Sequence, residues 1–419
     1  MIEPRTLLRQ MADAAIQAAE PRIRVPAVLP AAPARAIVVG AGKASAAMAK
    51  ALDDAWPDTD LGGIVVTRYG YEVACERIEI VAAAHPVPDA KGREAAGRIL
   101  KLAESAGQDD LVVALMSGGG SALLTAPADG ISFEEKQEVN RLLLRCGADI
   151  GEMNTLRKHI SAIKGGRLAA AAYPARVLTV LISDVPGDDP AVIGSGPTVP
   201  DPTTFADALA VVEKYQLALP ESVRRHLEAA QDETPKPDSK VFEGNELVFA
   251  AKPDKSIAAA GEIARKQGFT VIDLGDRVEG EARDVGAAHA DIALACHQGC
   301  GPATAPCVIL SGGETTVTLR GNGRGGRNTE YLLGVAERLG AAEGIYAVAC
   351  DTDGVDGSED NAGAFIDPTT IMRAWASGLS VPQALENNDA YALFENIGDL
   401  LVTGPTFTNV NDFRAIIVT

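Results

Sequence analysis

The sequence predicts a two-domain α/β protein built on parallel sheet. Three observations carry this reading. Short, fully apolar runs alternate with helical stretches, as a sheet covered on both faces requires. The 419 residues exceed what one core comfortably supports. Near Glu233 the texture changes to ETPKPDSK, where two prolines and four charges in eight residues read as a linker. The boundary is placed near Asp238, giving domains of residues 1–238 and 239–419, with the C-terminal tail free to pack back on the first.

The elements follow in order. The N-terminal MIEPRTLLRQMADAAIQAAEP is an amphipathic helix without the apolar core of a secretory signal. Strands are expected at IVVGA from Ile37, at Gly62–Thr67, Ile78–Ala84, Leu111–Met116 and Val177–Ser183. Helices lie between, including Gly92–Ala106 and Ser132–Cys146, the latter opened by a capping box of Ser132 and Glu135. After the linker the theme restarts at Leu247–Ala251, Thr270–Gly275, Cys307–Gly313, Thr315–Gly321 and Tyr346–Gly354. VVALMSGGGSALL and CVILSGGETTVTL both run from an apolar strand into Ser-Gly-Gly, an echo that points to related halves.

Composition narrows the function classes. A formal net charge of −19 argues against nucleic acid or an anionic membrane as partner. No apolar stretch reaches the length of a membrane span, so a cytoplasmic protein is expected. A small anionic ligand remains open, since a few converging Lys and Arg make a local positive pocket. Aromatics are only 4%, so the core must be built from Ala, Val, Ile and Leu. Cys296, Cys300 and Cys307 lie close together around His297, but the spacing matches no known zinc pattern. A disulfide there would be unusual in the cytosol, and buried thiols are the ordinary outcome.

The chemistry concentrates in loops. In VVGAGKAS, residues 38–45, Gly40 and Gly42 form half of a dinucleotide fingerprint, with Ser45 at its third position. Thr67 and Arg68 stand where an acidic residue would close the second strand. Lys43 opposes the helix dipole unless an anion sits between them; otherwise it is a solvated surface lysine. Ser117, Gly118, Gly119, Gly120 and Ser121 offer bare N–H groups and hydroxyls at a helix start, an anion site or else a tight packing turn. No Walker A motif occurs. GNGRGGRNTE carries Arg324 and Arg327 among Gly325, Gly326 and Asn328, and the Arg fork suits phosphate or carboxylate. Two acidic loops follow strands, one with Asp184, Asp188 and Asp189, the other with Asp351, Asp353 and Asp356. Carboxylates there suit magnesium beside phosphates, although each alone equally suits a turn or a cap. The second loop lacks the glutamate of a calcium loop, since Ala362 stands at position 12. His159 sits among Arg157, Lys158, Lys164 and Arg167, which form either a solvated basic face or a source of one cation for the site.

Taken in order, VVGAGKAS, MSGGGSALL, KHISAIKGGRLA, LISDVPGDDPAVIGSGPTVPDPTTF, LSGGETTVTLRGNGRGGRN and DTDGVDG closely resemble the glycerate 2-kinase family, from about residue 35 to the C-terminus. The resemblance implies a Rossmann-like N-terminal domain, a smaller MOFRL-type α/β domain and an active-site cleft between them. It implies ATP-dependent phosphorylation of D-glycerate at its 2-hydroxyl, giving 2-phosphoglycerate and ADP. Lys43 and Arg327 match family positions for catalysis. Combined with the loops, this assigns phosphate contacts to Gly40, Gly42, Ser117–Ser121, Gly312, Gly313, Glu314, Gly325, Gly326 and Asn328. Asp184, Asp351 and Asp353 are candidates for Mg²⁺, and Asp189 for the acceptor of the hydroxyl proton. Ser195, Gly196, Arg324 and Lys164 are candidates for glycerate itself. A homodimer is left open. Two rivals stand: an NAD(P)H-dependent hydroxypyruvate reductase using His85 or His159 as proton donor, and a non-enzymatic sensor of sugar acids or nucleotides.

Overall fold

The computed structural model describes residues 2–419. The chain divides into two compact units, one of residues 21–250 and the other of Ala251–Thr419 together with the N-terminal segment through Glu20.

Among the described residues, the first unit holds a six-stranded sheet of β1 (Arg35–Ala41), β2 (Asp60–Arg68), β3 (Ile78–Ala83), β4 (Leu111–Met116), β5 (Arg176–Ile182) and β6 (Glu246–Ala251). The order is β3-β2-β1-β4-β5-β6, and β1 pairs in parallel with both β2 and β4. This is the doubly wound order, whose direction reverses between β1 and β4. Both middle strands are apolar on both faces, which helices on either side require. The helix Ala90–Glu104 starts at the Asp89 cap, and the helix Phe133–Cys146 has the expected box of Ser132 and Glu135.

In the second unit a mixed sheet has the order β12-β11-β10-β13-β9-β7, with β8 also paired to β9. Its strands are β7 (Thr270–Asp273), β8 (Val278–Glu281), β9 (Cys307–Thr316), β10 (Ile345–Asp351), β11 (Gly363–Ile366), β12 (Leu400–Leu401) and β13 (Asp412–Val418). β7 and β8 run parallel to β9, while β13 runs antiparallel to both β9 and β10.

Four sequence expectations change here. The ETPKPDSK segment is packed rather than a free linker: Glu233 accepts the Phe205 N–H, and Thr234 is buried on Asp201. The chain then adds β6 to the first sheet, so the boundary lies near residue 250, not 238. The helix Pro4–Gln17 leaves the first unit and lays Leu7, Leu8, Met11 and Ala15 on Ile257, Val308, Leu310 and Phe413. Its apolar stripe is the cause, because the second sheet offers the matching face. The C-terminal residues form β13 inside the second sheet rather than packing back on the first. Cys296 and Cys307 are buried free thiols and Cys300 is an exposed one.

Candidate active site

At the β1/β4 switch point the loops after the two strands open the crevice where doubly wound sheets bind ligands. Gly40 and Gly42 are needed there for close packing of protein on protein. A Cβ at Gly40 would lie 2.3 Å from the Leu115 carbonyl oxygen, and one at Gly42 2.1 Å from Ser117 Oγ. Ser117 Oγ accepts the Ala44 N–H at 3.0 Å, and Ser45 Oγ donates to the Leu115 carbonyl at 3.0 Å. Gly42 N–H and Ser117 N–H bond the Val66 and Ala41 carbonyls, and Gly40 lies within the strand ladder, so these residues stitch the two loops together with their main-chain donors already taken, which corrects their assignment as ligand contacts.

The second half of the loop is more open. Lys43 N–H donates to the Gly118 carbonyl at 2.8 Å. Gly119 has φ +79°, and a Cβ there would meet His85 Nε2 at 3.0 Å and Lys43 Cγ at 3.4 Å. Gly120 N–H is consumed by the Ser117 carbonyl, whereas the N–H groups of Gly118 and Gly119 take no partner among the described residues.

Beside Gly119 lies a cavity of about 470 Å³ lined by His85, Ser121, Lys136, Arg157 and Lys164, with Val87 and Leu144 at its edge. Lys164 is buried, and its Nζ donates to the Ser121 carbonyl and to Ser121 Oγ, each at 2.7 Å, and to Ser195 Oγ at 3.4 Å. Burial, reinforced by Lys136 and Arg157, holds the Lys164 ammonium well below its ordinary pKa. Ser195 contributes its hydroxyl, linked to Ser121 Oγ at 2.9 Å and Asn154 Oδ1 at 3.0 Å. The expected main-chain donors are already engaged, since Ser195 N–H and Gly196 N–H bond the Val192 and Ile193 carbonyls. Lys136 was not read from the sequence at all; Arg157 was named there only as one of several possible cations, and His85 only as a proton donor for the reductase. Lys136 and Arg157 look like ordinary helix-surface cations in sequence, and only the tertiary packing of their helices, Phe133–Cys146 and Ile150–His159, turns them inward. His159 is structural: it bridges the Thr155 carbonyl and Glu233 and stacks edge-on against Phe205.

In the second unit Arg327 opens the helix Arg327–Leu339. Its Nε bonds Asp412 at 2.7 Å, its Nη1 Glu314 at 2.9 Å and its Nη2 Asp351 at 2.9 Å. Burial alone would lower its pKa, but the three carboxylates outweigh burial and fix the positive charge. Asp412 and the fully buried Arg414, which lies over Tyr331, form the layer beneath, and neither was read from sequence. A depression of about 340 Å³ beside Arg327 is lined by Thr315, Gly325, Gly326 and Asp351.

Several assignments change in this unit. Asp356 fills the helix start, accepting the N–H groups of Asn328 and Thr329 at 2.9 Å each. Asn328 Nδ2 donates to Asp412 at 2.8 Å, so Asn328 is a structural donor rather than a phosphate contact. A Cβ at Gly326 would strike Asp356 Oδ1 at 2.3 Å, which explains that glycine without a ligand. Gly312 and Gly313 lie inside β9, as the strand Cys307–Gly313 was expected to place them, but protein surrounds them: Gly312 N–H bonds the Gly275 carbonyl, and a Cβ at Gly313 would meet the Val278 carbonyl oxygen at 2.3 Å. The repeat echo thus has no structural counterpart. Arg324 is exposed, paired with Glu359 at 3.2 Å and lying over Tyr391, and it does not line the depression. Asp189 is exposed and its Oδ1 accepts the Ala191 N–H at 2.9 Å, the geometry of a turn former. Among the described residues no three of His, Cys, Asp and Glu gather into a metal-holding group.

Comparison with known proteins decides the family. A model described as a domain of unknown function, DUF4147, matches residues 7–228, and the MOFRL family model matches residues 307–412. A D-glycerate 2-kinase of Thermotoga maritima is 41% identical over 90% of this chain and 89% of its own. The chain belongs to the glycerate 2-kinase family. The crystal structure of the Thermotoga maritima glycerate kinase superposes with a TM-score of 0.90 at 38% identity, covering 99% of each chain. A protein of Agrobacterium vitis, provisionally named hydroxypyruvate reductase, is 52% identical over all of this chain and 95% of its own. Family membership confirms the α/β class, the smaller second domain and the kinase reading of the motifs. Among the described residues no helix is long and apolar enough to cross a membrane.

Proposed function

We propose that the protein phosphorylates D-glycerate at its 2-hydroxyl with ATP, releasing 2-phosphoglycerate and ADP. The hydroxyl oxygen bonds to the γ-phosphorus as the bond to the β–γ bridging oxygen breaks, and the hydroxyl proton leaves to solvent. Such a reaction demands positioning and charge neutralisation more than covalent help. Lys43 and Arg327 are the charge-bearing pair, and the open N–H groups of Gly118 and Gly119 are the main-chain contacts to phosphate oxygens. Magnesium enters with the nucleotide, and when bound it neutralises the β- and γ-phosphates.

The observation that carries this reading is the filling of the Gly42 position by Ser117, with only 2.1 Å between a Cβ at Gly42 and Ser117 Oγ. In a dinucleotide fold the second glycine admits the cofactor pyrophosphate. Here protein occupies that space, and Thr67 and Arg68 end β2 where a ribose-binding acid would stand. The reductase reading, which rests on the half-fingerprint of the glycine loop and on the name of the Agrobacterium relative, therefore lacks its cofactor cradle. Two parallel assays separate the readings. ADP release from D-glycerate, ATP and Mg²⁺ supports the kinase; NADH oxidation with hydroxypyruvate and no ADP release rejects it. Nucleotide binding without turnover in either assay would favour a sensor.

A further inference from the structure

The cavity beside Gly119 holds a charge arrangement that the fold alone does not account for. Lys136, Arg157 and Lys164 all line it, and Lys136 and Lys164 are each 2% exposed. Their partners are all neutral. Lys136 Nζ bonds the Ile160 carbonyl at 2.8 Å, Arg157 Nε bonds Asn140 Oδ1 at 3.1 Å, and Lys164 bonds Ser121 and Ser195. No carboxylate lines the cavity, in a chain whose formal net charge is −19. Like charges buried together without counter-charge are costly, and folds keep them where an anion completes the set. Arg141 stands at the exposed edge, already paired with Glu138.

The size and the rim narrow the anion. About 470 Å³ is far more than a three-carbon acid fills, and it lies in the usual range for nucleotide-sized ligands. Val87 and Leu144, exposed at 67% and 69%, and Pro86 and Pro88 make the mouth apolar. A flat aromatic base against an apolar mouth and a polyanion on a cationic floor match this gradient. We infer that this cavity is the nucleoside triphosphate site, with Lys136, Arg157 and Lys164 holding the phosphates and the Val87–Leu144 rim taking the base. The identity of the nucleotide rests on the kinase reading above; the polyanion site rests on the cavity alone. Lys164 is thereby moved from glycerate to nucleotide. The depressed ammonium pKa of Lys136, pushed by burial and then by Arg157 to about 7, agrees with a site short of negative charge.

Equilibrium binding of ATP to the full chain tests this, by calorimetry without glycerate. Lys136→Met and Arg157→Met should each weaken ATP about thirtyfold or more, as for loss of one partner of a buried charge pair. Lys136→Met should leave the melting temperature unchanged or raised, because an apolar isostere removes a buried charge; a merely structural lysine would lower it. Leu144→Glu, a surface change that folding tolerates, should weaken ATP about fivefold at low salt and less at high salt. ATP affinity within twofold of the parent in the folded variants overturns the assignment, as does a rise confined to the KM for glycerate. A chain that binds ATP in this way yet shows no glycerate kinase activity would leave the cavity assignment standing and overturn the proposed reaction. Full kinase activity with unaltered ATP affinity in all three variants would do the reverse.

Discussion

Arg327 shows what one residue contributes and how much of that was legible. Its place after two glycines at a helix start marked it in the sequence, but its partners did not show. Asp412 and Arg414 lie in NDFRAIIVT, where nothing separates a buried carboxylate from an ordinary strand end; only β13 running between β9 and β10 brings them under Arg327. Alanine at Lys43 or Arg327 should each lower kcat about a hundredfold or more with the fold intact by circular dichroism, the loss expected when charge stabilisation is removed from the transition state. Asp412→Ala should destabilise the protein by about 3–5 kcal/mol in chemical unfolding, since it strands the buried Arg414 guanidinium and removes one of the three carboxylates that hold Arg327. Lys136 adds a pH dependence. Burial, and after it the Arg157 charge, push its pKa down to about 7 in the free site, and the Lys164, His85 and Arg141 groups on the same wall bring no negative charge to offset this. A bound polyanion raises that pKa again. Binding above about pH 7 then takes up a proton, and ATP affinity should fall as pH rises from about 7 to about 9. A flat profile in calorimetric titrations would remove Lys136 from the site.

At the scale of elements, local signals read well and tertiary ones did not. The capping box of Ser132 and Glu135 and the apolar runs of β1 and β4 appear where the pattern put them, because caps and periodicity are local physics. The two Ser-Gly-Gly triplets diverge because neighbours decide them: the first ends β4 and enters a short helix, Gly120–Leu123, while the second stays inside β9 to admit Val278 of β8. Gly42→Ala should cost at least about 2 kcal/mol, as its Cβ would enter Ser117 and its φ of +148° disfavours a side chain. The helix Arg327–Leu339 is held at its start by Asp356 in place of a phosphate. Asp356→Ala should lower stability by about 1–2 kcal/mol and speed amide exchange at Asn328 and Thr329 first.

At the scale of the whole molecule, the sequence showed two α/β halves but not where the chain divides them. The helix Pro4–Gln17 joins the second unit, and residues 233–250 belong to the first, because apolar faces and a sheet edge recruit whatever segment fits them. The functional reading survives these shifts, since it rests on loops at the switch point and on Arg327, not on the boundary. The most direct measurement is phosphorus NMR of the mixture formed by the purified protein from D-glycerate, ATP and Mg²⁺. The account predicts a phosphomonoester resonance coupled to the single proton on C2, growing in step with ADP. A phosphoester coupled to the two protons on C3, or no phosphoester while NADH reduces hydroxypyruvate, would contradict it.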